Sequence, residues 1–175
     1  MFDLEPVADV RDFIETGGNV LLAIAAATFV MWALILERAW YFRRVHPGVA
    51  RKVREEWDAR RDRSSWYAHQ IRRLLISDVQ GRLNQGLLMI NTFVALCPLL
   101  GLLGTVTGMV EVFDVMAVAG TGNARAMASG VSRATLPTMA GMVAAISGLM
   151  LSVQFDRYAR DEGERVADSL TIAHT

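Results

Sequence analysis

The chain has 175 residues, 53% of them hydrophobic, and this apolar share exceeds the roughly 45–50% of an average soluble domain. Its acidic and basic residues balance to a formal net charge of zero, and its length suits a single domain. The lone Cys97 excludes an internal disulfide, the scattered His46, His69 and His174 lack the spacing of a metal site, and the acidic start lacks the basic region of a signal peptide.

The first apolar run covers residues 20–36 and predicts a membrane-spanning helix. At 1.5 Å per residue it reaches about 26 Å, the short end of the spanning range, and flanking residues extend it. Trp40 and Tyr41 followed by Arg43 and Arg44 are typical of a cytoplasmic membrane interface. We therefore predict a periplasmic N-terminal segment over residues 1–18 and a first span over 19–42. A buried helix of a soluble protein is the alternative.

Residues 43–85 form a polar, arginine-rich region that we interpret as cytoplasmic and helical. Val49, Val53 and Trp57 recur at a spacing of four, which indicates an amphipathic helix. Arginines with Trp66 and Tyr67 among them also fit nucleic-acid binding, but a topology signal in contact with anionic lipid is the favoured interpretation. We expect a lipid bilayer and no nucleic acid as partner.

Two further apolar runs predict a second span over residues 86–115 and a third over 129–155, joined by a periplasmic loop over 116–128. Pro98 and Pro137 lie inside these spans, where neighbouring groups satisfy the carbonyls that proline leaves free. After Phe155 the charged residues favour an amphipathic cytoplasmic helix and tail over 156–175.

The arginines predict the orientation of the spans. The loop between spans two and three holds only Arg125, and the acidic N-terminal segment holds only Arg11. The region from residue 37 to 85 carries twelve basic residues: Arg38, Arg43, Arg44, Arg51, Lys52, Arg54, Arg60, Arg61, Arg63, Arg72, Arg73 and Arg82. Because basic loops stay in the cytoplasm, we predict an all-α, three-span protein with its N-terminus outside and its C-terminus inside.

Small residues recur at heptad spacing in the second and third spans, and we call these two stripes the small-residue seams. The seam of span two consists of Gly101, Thr105 and Gly108, and the seam of span three consists of Ala134, Thr138, Gly141, Ala145, Gly148 and Ser152. Such seams normally mark close helix packing. Because each seam carries a threonine near mid-membrane, a second interpretation is that both stripes face a cavity enclosing other helices.

Two stretches resemble a known family. Span two contains the run Ala95-Leu-Cys-Pro-Leu-Leu-Gly-Leu-Leu-Gly-Thr-Val-Thr-Gly-Met109, and span three begins with Gly130-Val-Ser-Arg-Ala-Thr-Leu-Pro-Thr-Met-Ala-Gly-Met-Val-Ala-Ala-Ile146. Both are similar to signatures of the TolQ/ExbB/MotA proton-channel family, with ExbB as the nearest type. The resemblance covers most of the chain, including its three-span topology.

The resemblance implies a multi-pass protein of the bacterial inner membrane, with five copies in a ring around a pair of single-span ExbD-type helices. Each of these partner helices carries an aspartate that takes and releases protons, and the assembly energises a TonB-type transducer for outer-membrane transport. It implies that Thr105 and Thr138 line the proton path, with Gly101, Gly108, Ala134, Gly141 and Ala145 as the pore-facing small residues. The sequence shows no nucleophile, general base or cofactor-binding loop, so we expect no enzyme activity and no cofactor.

Two other functional classes fit the same sequence. A TolQ-like or flagellar-stator-like motor subunit shares the family signatures, and a non-conducting scaffold that positions a partner needs only the packing seams.

Many ExbB and TolQ proteins carry a glutamate where this chain has Arg133, and an arginine does not release its proton at ordinary pH. A proton path through this chain therefore uses no carboxylate at that position.

Glu111 and Arg133 form a candidate ion pair. Glu111 lies about 9 Å outward of Thr105, and Arg133 about 7.5 Å outward of Thr138, at 1.5 Å per residue. Each is turned roughly 120–140° away from its seam at 100° per residue, so neither is expected to face the pore. Their similar depth and opposite charge predict an ion pair within or between subunits, and separate snorkelling to the outer interface is the alternative.

Overall fold

A computed structural model of the chain describes the backbone of residues 5–60, 65–119 and 124–170, and the side chains of residues 18–60, 65–117 and 127–170. Every regular element among the described residues is a helix, as predicted. Their helices are α1 (Glu5–Trp40), a π-helical turn (Tyr41–Val45), α2 (His46–Asp58), α3 (Trp66–Asn84), α4 (Leu87–Ala119) and α5 (Ala124–Ser169). α1 is interrupted at Gly18, whose φ of 66° lies in the left-handed region that glycine tolerates.

Three helical segments are long and apolar enough to cross a membrane, which agrees with the three predicted spans. They are Gly18–Asp58, Trp66–Ala117 and Met127–Ser169. The helices also extend into the predicted connection between spans two and three, since α4 continues to Ala119 and α5 begins at Ala124. Alanines at both ends of this connection explain the extension, because alanine has the highest helix propensity. Residues 120–123 of the predicted loop lie outside the described residues.

The chain divides into two compact units, of which the first comprises Met1–Trp32 and Thr92–Leu149. In its described part, α1 buries one face through Leu21, Ile24, Ala27 and Met31. Ala27 packs in a cluster with Cys97 of α4 and with Ala144 and Ala145 of α5, and Phe93 and Leu100 flank this cluster. Small side chains at the centre of the unit therefore bring three helices close together.

The second unit comprises Ala33–Asn91 and Met150–Thr175. The π-helical turn places Phe42 against two aromatic side chains of α5, with ring centroids 5.6 Å from Phe155 and 4.9 Å from Tyr158. His46 is buried, and its Nε2 lies 3.4 Å from the Oε1 atom of Glu162 in α5. These contacts hold the start of α2 against α5.

An arginine of α3 closes the C-terminal end of α5. Arg72 donates from Nε to the carbonyl of Leu170 at 2.8 Å and from Nη2 to the carbonyl of Ala167 at 2.7 Å. The last carbonyls of a helix have no partner within the helix, and a guanidinium offers two parallel donors to satisfy them. Arg72 thus fixes the end of α5 on α3.

The junction between α3 and α4 depends on Gly86, whose φ of 81° only glycine adopts readily. The guanidinium of Arg38 lies directly over this glycine, because a Cβ placed there would come within 2.7 Å of Arg38 Nε. Arg38 also donates from Nη1 to the carbonyl of Arg82 at 3.4 Å and stacks over the ring of Tyr41 at 5.2 Å. A side chain at residue 86 would displace this buried arginine.

Candidate functional site

The glycines of α4 and α5 meet each other at backbone distance. A Cβ added to Gly101 would lie 2.9 Å from the Cα of Thr138, and one added to Gly141 would lie 2.5 Å from the carbonyl oxygen of Cys97. Real Cβ atoms do not approach backbone atoms so closely, so both positions require glycine. The two small-residue seams therefore face each other within one chain.

The contact continues along both helices. A Cβ at Gly108 would lie 2.7 Å from the Cβ of Ala134. Gly104 and Gly130, which the seam prediction does not include, are equally close to a neighbour: Gly104 contacts the ring of Pro137, and Gly130 contacts the side chain of Val112. Gly104 could have been found from the sequence, since it lies three residues after Gly101 on the same helix face. The contact of Gly104 with Pro137 could not be predicted, because it joins two separate helices.

Thr138 bridges the two helices. Its hydroxyl Oγ1 donates to the carbonyl oxygen of Gly101 at 2.8 Å, and this carbonyl is accessible because Gly101 has no side chain to cover it. Thr138 is half-buried. The structure thus places a hydroxyl, which both donates and accepts a hydrogen bond, at the centre of an otherwise apolar contact.

Thr105 has a different environment. Its hydroxyl donates to Leu102 of its own helix, with Oγ1 2.7 Å from the carbonyl oxygen, and it makes no described hydrogen bond to α5. Thr105 is also half-buried and lies one turn further along α4 than Gly101. The pore-lining role of Thr105 and Thr138 stays a prediction.

Among the predicted pore-facing residues, Gly101, Gly108, Ala134 and Gly141 are in the α4–α5 contact, and Ala145 lies in the buried cluster with Cys97. Close helix packing, the first of the two interpretations, accounts for these contacts within one chain. A pore facing the same seams stays a prediction.

Glu111 and Arg133 are both exposed, and among the residues that the structure describes no ion pair joins them. They nevertheless lie at a similar level of the α4–α5 contact, because Gly108 faces Ala134 and Gly130 faces Val112. The pair predicted from the sequence is therefore not formed by the described side chains of one chain, and its formation between chains stays a prediction.

Neither seam carries an acidic residue: from residue 87 to 110 and from 127 to 155 the sequence holds no aspartate or glutamate. In the described part of the chain, no group of three or more histidine, cysteine, aspartate or glutamate side chains could hold a metal ion. The seams therefore offer hydroxyls and backbone carbonyls as hydrogen-bonding groups, and no carboxylate.

These features define a class: a multi-pass helical membrane protein whose second and third spans are joined by a glycine-rich contact that carries a bridging hydroxyl. Residues 45–167 match the model of the MotA/TolQ/ExbB proton channel family, and the chain belongs to this family.

Two relatives come from Synechocystis sp. (strain ATCC 27184 / PCC 6803 / Kazusa). The putative biopolymer transport protein ExbB-like 1 is 42% identical over 73 residues, which cover 40% of this chain and 29% of that relative. The putative biopolymer transport protein ExbB-like 3 is 26% identical over 170 residues, which cover 79% of this chain and 81% of that relative. The nearness to ExbB that the motifs indicate is confirmed.

Proposed function

We propose that this chain is an ExbB-like subunit of a motor in the bacterial inner membrane, driven by the proton-motive force. In this proposal five copies enclose a pair of single-span ExbD-type helices, and the assembly energises a TonB-type transducer for outer-membrane transport. The observation that carries the proposal is the position of Thr138, whose hydroxyl lies at the centre of the seam contact inside the segment matching the family.

In this proposal, this chain and its partner supply different groups to the proton path. Since neither seam contains a carboxylate, the group that takes and releases the proton belongs to the ExbD-type helix. The hydroxyl oxygens of Thr105 and Thr138, whose protons are donated to the carbonyls of Leu102 and Gly101, accept a hydrogen bond from the protonated partner acid. Each hydroxyl donates to the ionised acid when it rotates away from that carbonyl. The apolar residues around them exclude bulk water, which strengthens these interactions.

The Gly101–Thr138 and Gly141–Cys97 contacts give the path a rigid wall. Two helices at backbone distance have no freedom to rotate independently, so the two threonines keep a fixed separation while the partner helix moves. A proton is thereby offered to the same pair of hydroxyls in each cycle.

Proton flux in vesicles tests the proposal. The full chain is reconstituted with and without an ExbD-type partner, a pH gradient is imposed, and internal acidification is followed with a pH-sensitive dye. Flux is expected only with both proteins and only when the partner's aspartate is intact. Flux no greater than that of empty vesicles when both proteins are present would overturn the proposal in favour of a non-conducting scaffold. Flux with a TolQ-system or flagellar-stator partner and none with the ExbD-type partner would assign the chain to that motor instead.

A further inference from the structure

An apolar groove runs along the first unit between α1 and α5 and has a volume of about 860 Å³. Ala140 and the buried Ala144 of α5 form its floor, while Phe29 and Trp32 of α1 and Val143 of α5 stand exposed at its rim. Its two hydroxyls are satisfied by their own helices, since Thr28 donates to Ile24 and Ser147 donates to Ala144. The groove therefore suits an occupant with large apolar side chains and no polar group.

The face of α4 that points away from α5 carries large apolar side chains at a regular spacing. We call this stripe the outer seam: its residues are Leu96, Leu99, Leu103, Val106, Val110 and Phe113, each separated from the next by three or four positions. All six are exposed, from 37% at Leu96 to 62% at Leu99. An alternating spacing of three and four is the pattern by which one helix packs its side chains between those of another. No described residue of the same chain covers this face.

Charges at the outward end of both surfaces are complementary. Glu111 and Asp114 are exposed on α4 beside the end of the outer seam, and Arg133 is exposed on α5 one to two turns beyond the groove residue Met139. Copies related by rotation about the membrane normal hold each residue at the same depth. Glu111 and Arg133 lie at a similar level of the α4–α5 contact. Glu111 of one copy can therefore pair with Arg133 of the next copy at the same depth in the membrane.

We propose that the outer seam of α4 in one copy packs into the α1–α5 groove of the adjacent copy, with Glu111 and Asp114 beside Arg133. The two surfaces differ, so the contact is heterologous, and a heterologous contact forms a ring when the rotation from copy to copy closes after a full turn. The inference rests on the proposed ring of ExbB-like subunits and names the surfaces that build it.

Disulfide cross-linking tests the contact. Leu99→Cys combined with Val143→Cys places one thiol on the outer seam and one at the groove rim. Oxidation in native membranes is expected to yield covalent dimers and higher ladders, because the Cα atoms of a disulfide lie only about 4.4–6.8 Å apart. The matched control, Leu99→Cys with Met142→Cys, moves the second thiol to the neighbouring exposed residue, turned about 100° away from the groove. It is expected to cross-link on the order of tenfold less. The natural chain, whose only cysteine is buried, reports the background.

The oligomeric state of the same samples separates this inference from the proposed function. A ring by native mass spectrometry with equal cross-linking in both pairs would overturn the contact and leave the motor subunit standing. A monomer throughout would overturn the ring itself.

Filling the groove gives a second readout. Ala140→Phe is expected to reduce the cross-link and the ring population together, whereas Ala23→Phe, at an exposed position of α1 turned about 160° from the groove residue Ala25, is expected to leave both unchanged. If the groove instead holds a lipid chain, the Ala140→Phe protein will carry less bound phospholipid and keep its oligomeric state. That result would overturn the proposal.

Discussion

At the scale of single residues, the two seam threonines have separate roles although the sequence treats them alike. The hydroxyl of Thr138 holds two helices together, whereas that of Thr105 returns to its own helix. A hydrogen bond between membrane helices contributes about 0.6 kcal/mol on average. Stability and proton flux should therefore respond differently at the two positions.

We predict that Thr138→Val lowers both the stability of the α4–α5 contact, by about 0.5–1.5 kcal/mol, and the proton flux. Thr105→Val is expected to lower the flux alone. Valine keeps the shape and removes the hydroxyl, so detergent-denaturation curves and vesicle flux separate the two effects. Thr107→Val and Thr135→Val serve as controls, because these exposed threonines also donate to their own helices but lie off the seams. Full flux in the Thr105→Val, Thr138→Val double variant would show that the seam threonines only pack.

The seam glycines permit a sharper test, because their neighbours are backbone atoms that do not move aside. We predict that Gly141→Leu and Gly108→Leu separate α4 from α5 and prevent ring assembly, measured by native mass and by protease sensitivity. Gly81→Leu is the matched control: Gly81 also lies in a helix, but nothing stands within 4 Å of a Cβ placed there. Normal stoichiometry in both seam variants would refute the packing argument.

At the scale of helices, the end of α5 depends on one side chain of α3. We predict that Arg72→Lys exposes the amides of residues 160–170 to faster hydrogen exchange, because one ammonium does not reproduce the two parallel bonds of a guanidinium. Arg73→Lys, one position along and exposed, is the control. Unchanged exchange in the Arg72 variant would mean that α5 is held by its apolar contacts alone, such as those of Phe42 with Phe155 and Tyr158.

Contact between α4 and α5 of adjacent copies is tested by a charge cycle. We predict that Glu111→Gln and Arg133→Gln each reduce ring stability, and that Glu111→Arg with Arg133→Glu recovers part of the loss. Removing one partner of a buried pair costs about 3–5 kcal/mol, and a pair at a wet interface costs less. The pairing requires non-additive losses across the double-mutant cycle. Strictly additive losses would mean that each charge reaches the outer interface by itself.

At the scale of the whole molecule, the proposed ring and orientation set what a membrane-impermeant thiol reagent can reach. We predict that Asn19→Cys is labelled from the periplasm in intact cells, while Ser77→Cys is labelled only after the membrane is opened. Both side chains are exposed in the described chain, so burial does not account for a difference. The same preparations should give a pentamer by native mass. Labelling of Ser77→Cys in intact cells would reverse the orientation.

The three spans and the helix faces on which function is expected follow from local patterns in the sequence. Hydropathy acts locally, so a run of apolar residues needs a membrane or a core whatever the rest of the chain does. Periodicity is also local, and it places Gly101, Gly108 and Gly141 on defined helix faces. It does not say which neighbour a face meets, and tertiary structure decided that the two small-residue seams meet each other.

Other features depend on residues far apart in the chain and are visible only in the folded structure. The bond from Thr138 to Gly101 and the fit of Pro137 on Gly104 join separate helices, and no spacing within one helix encodes them. In the sequence, the outer seam of α4 is indistinguishable from the other apolar stripes of the spans. In the folded chain the outer seam stays exposed, whereas the glycine-rich face of α4 is covered by α5. The sequence does not distinguish the two faces in this way, because burial depends on how all the helices pack together.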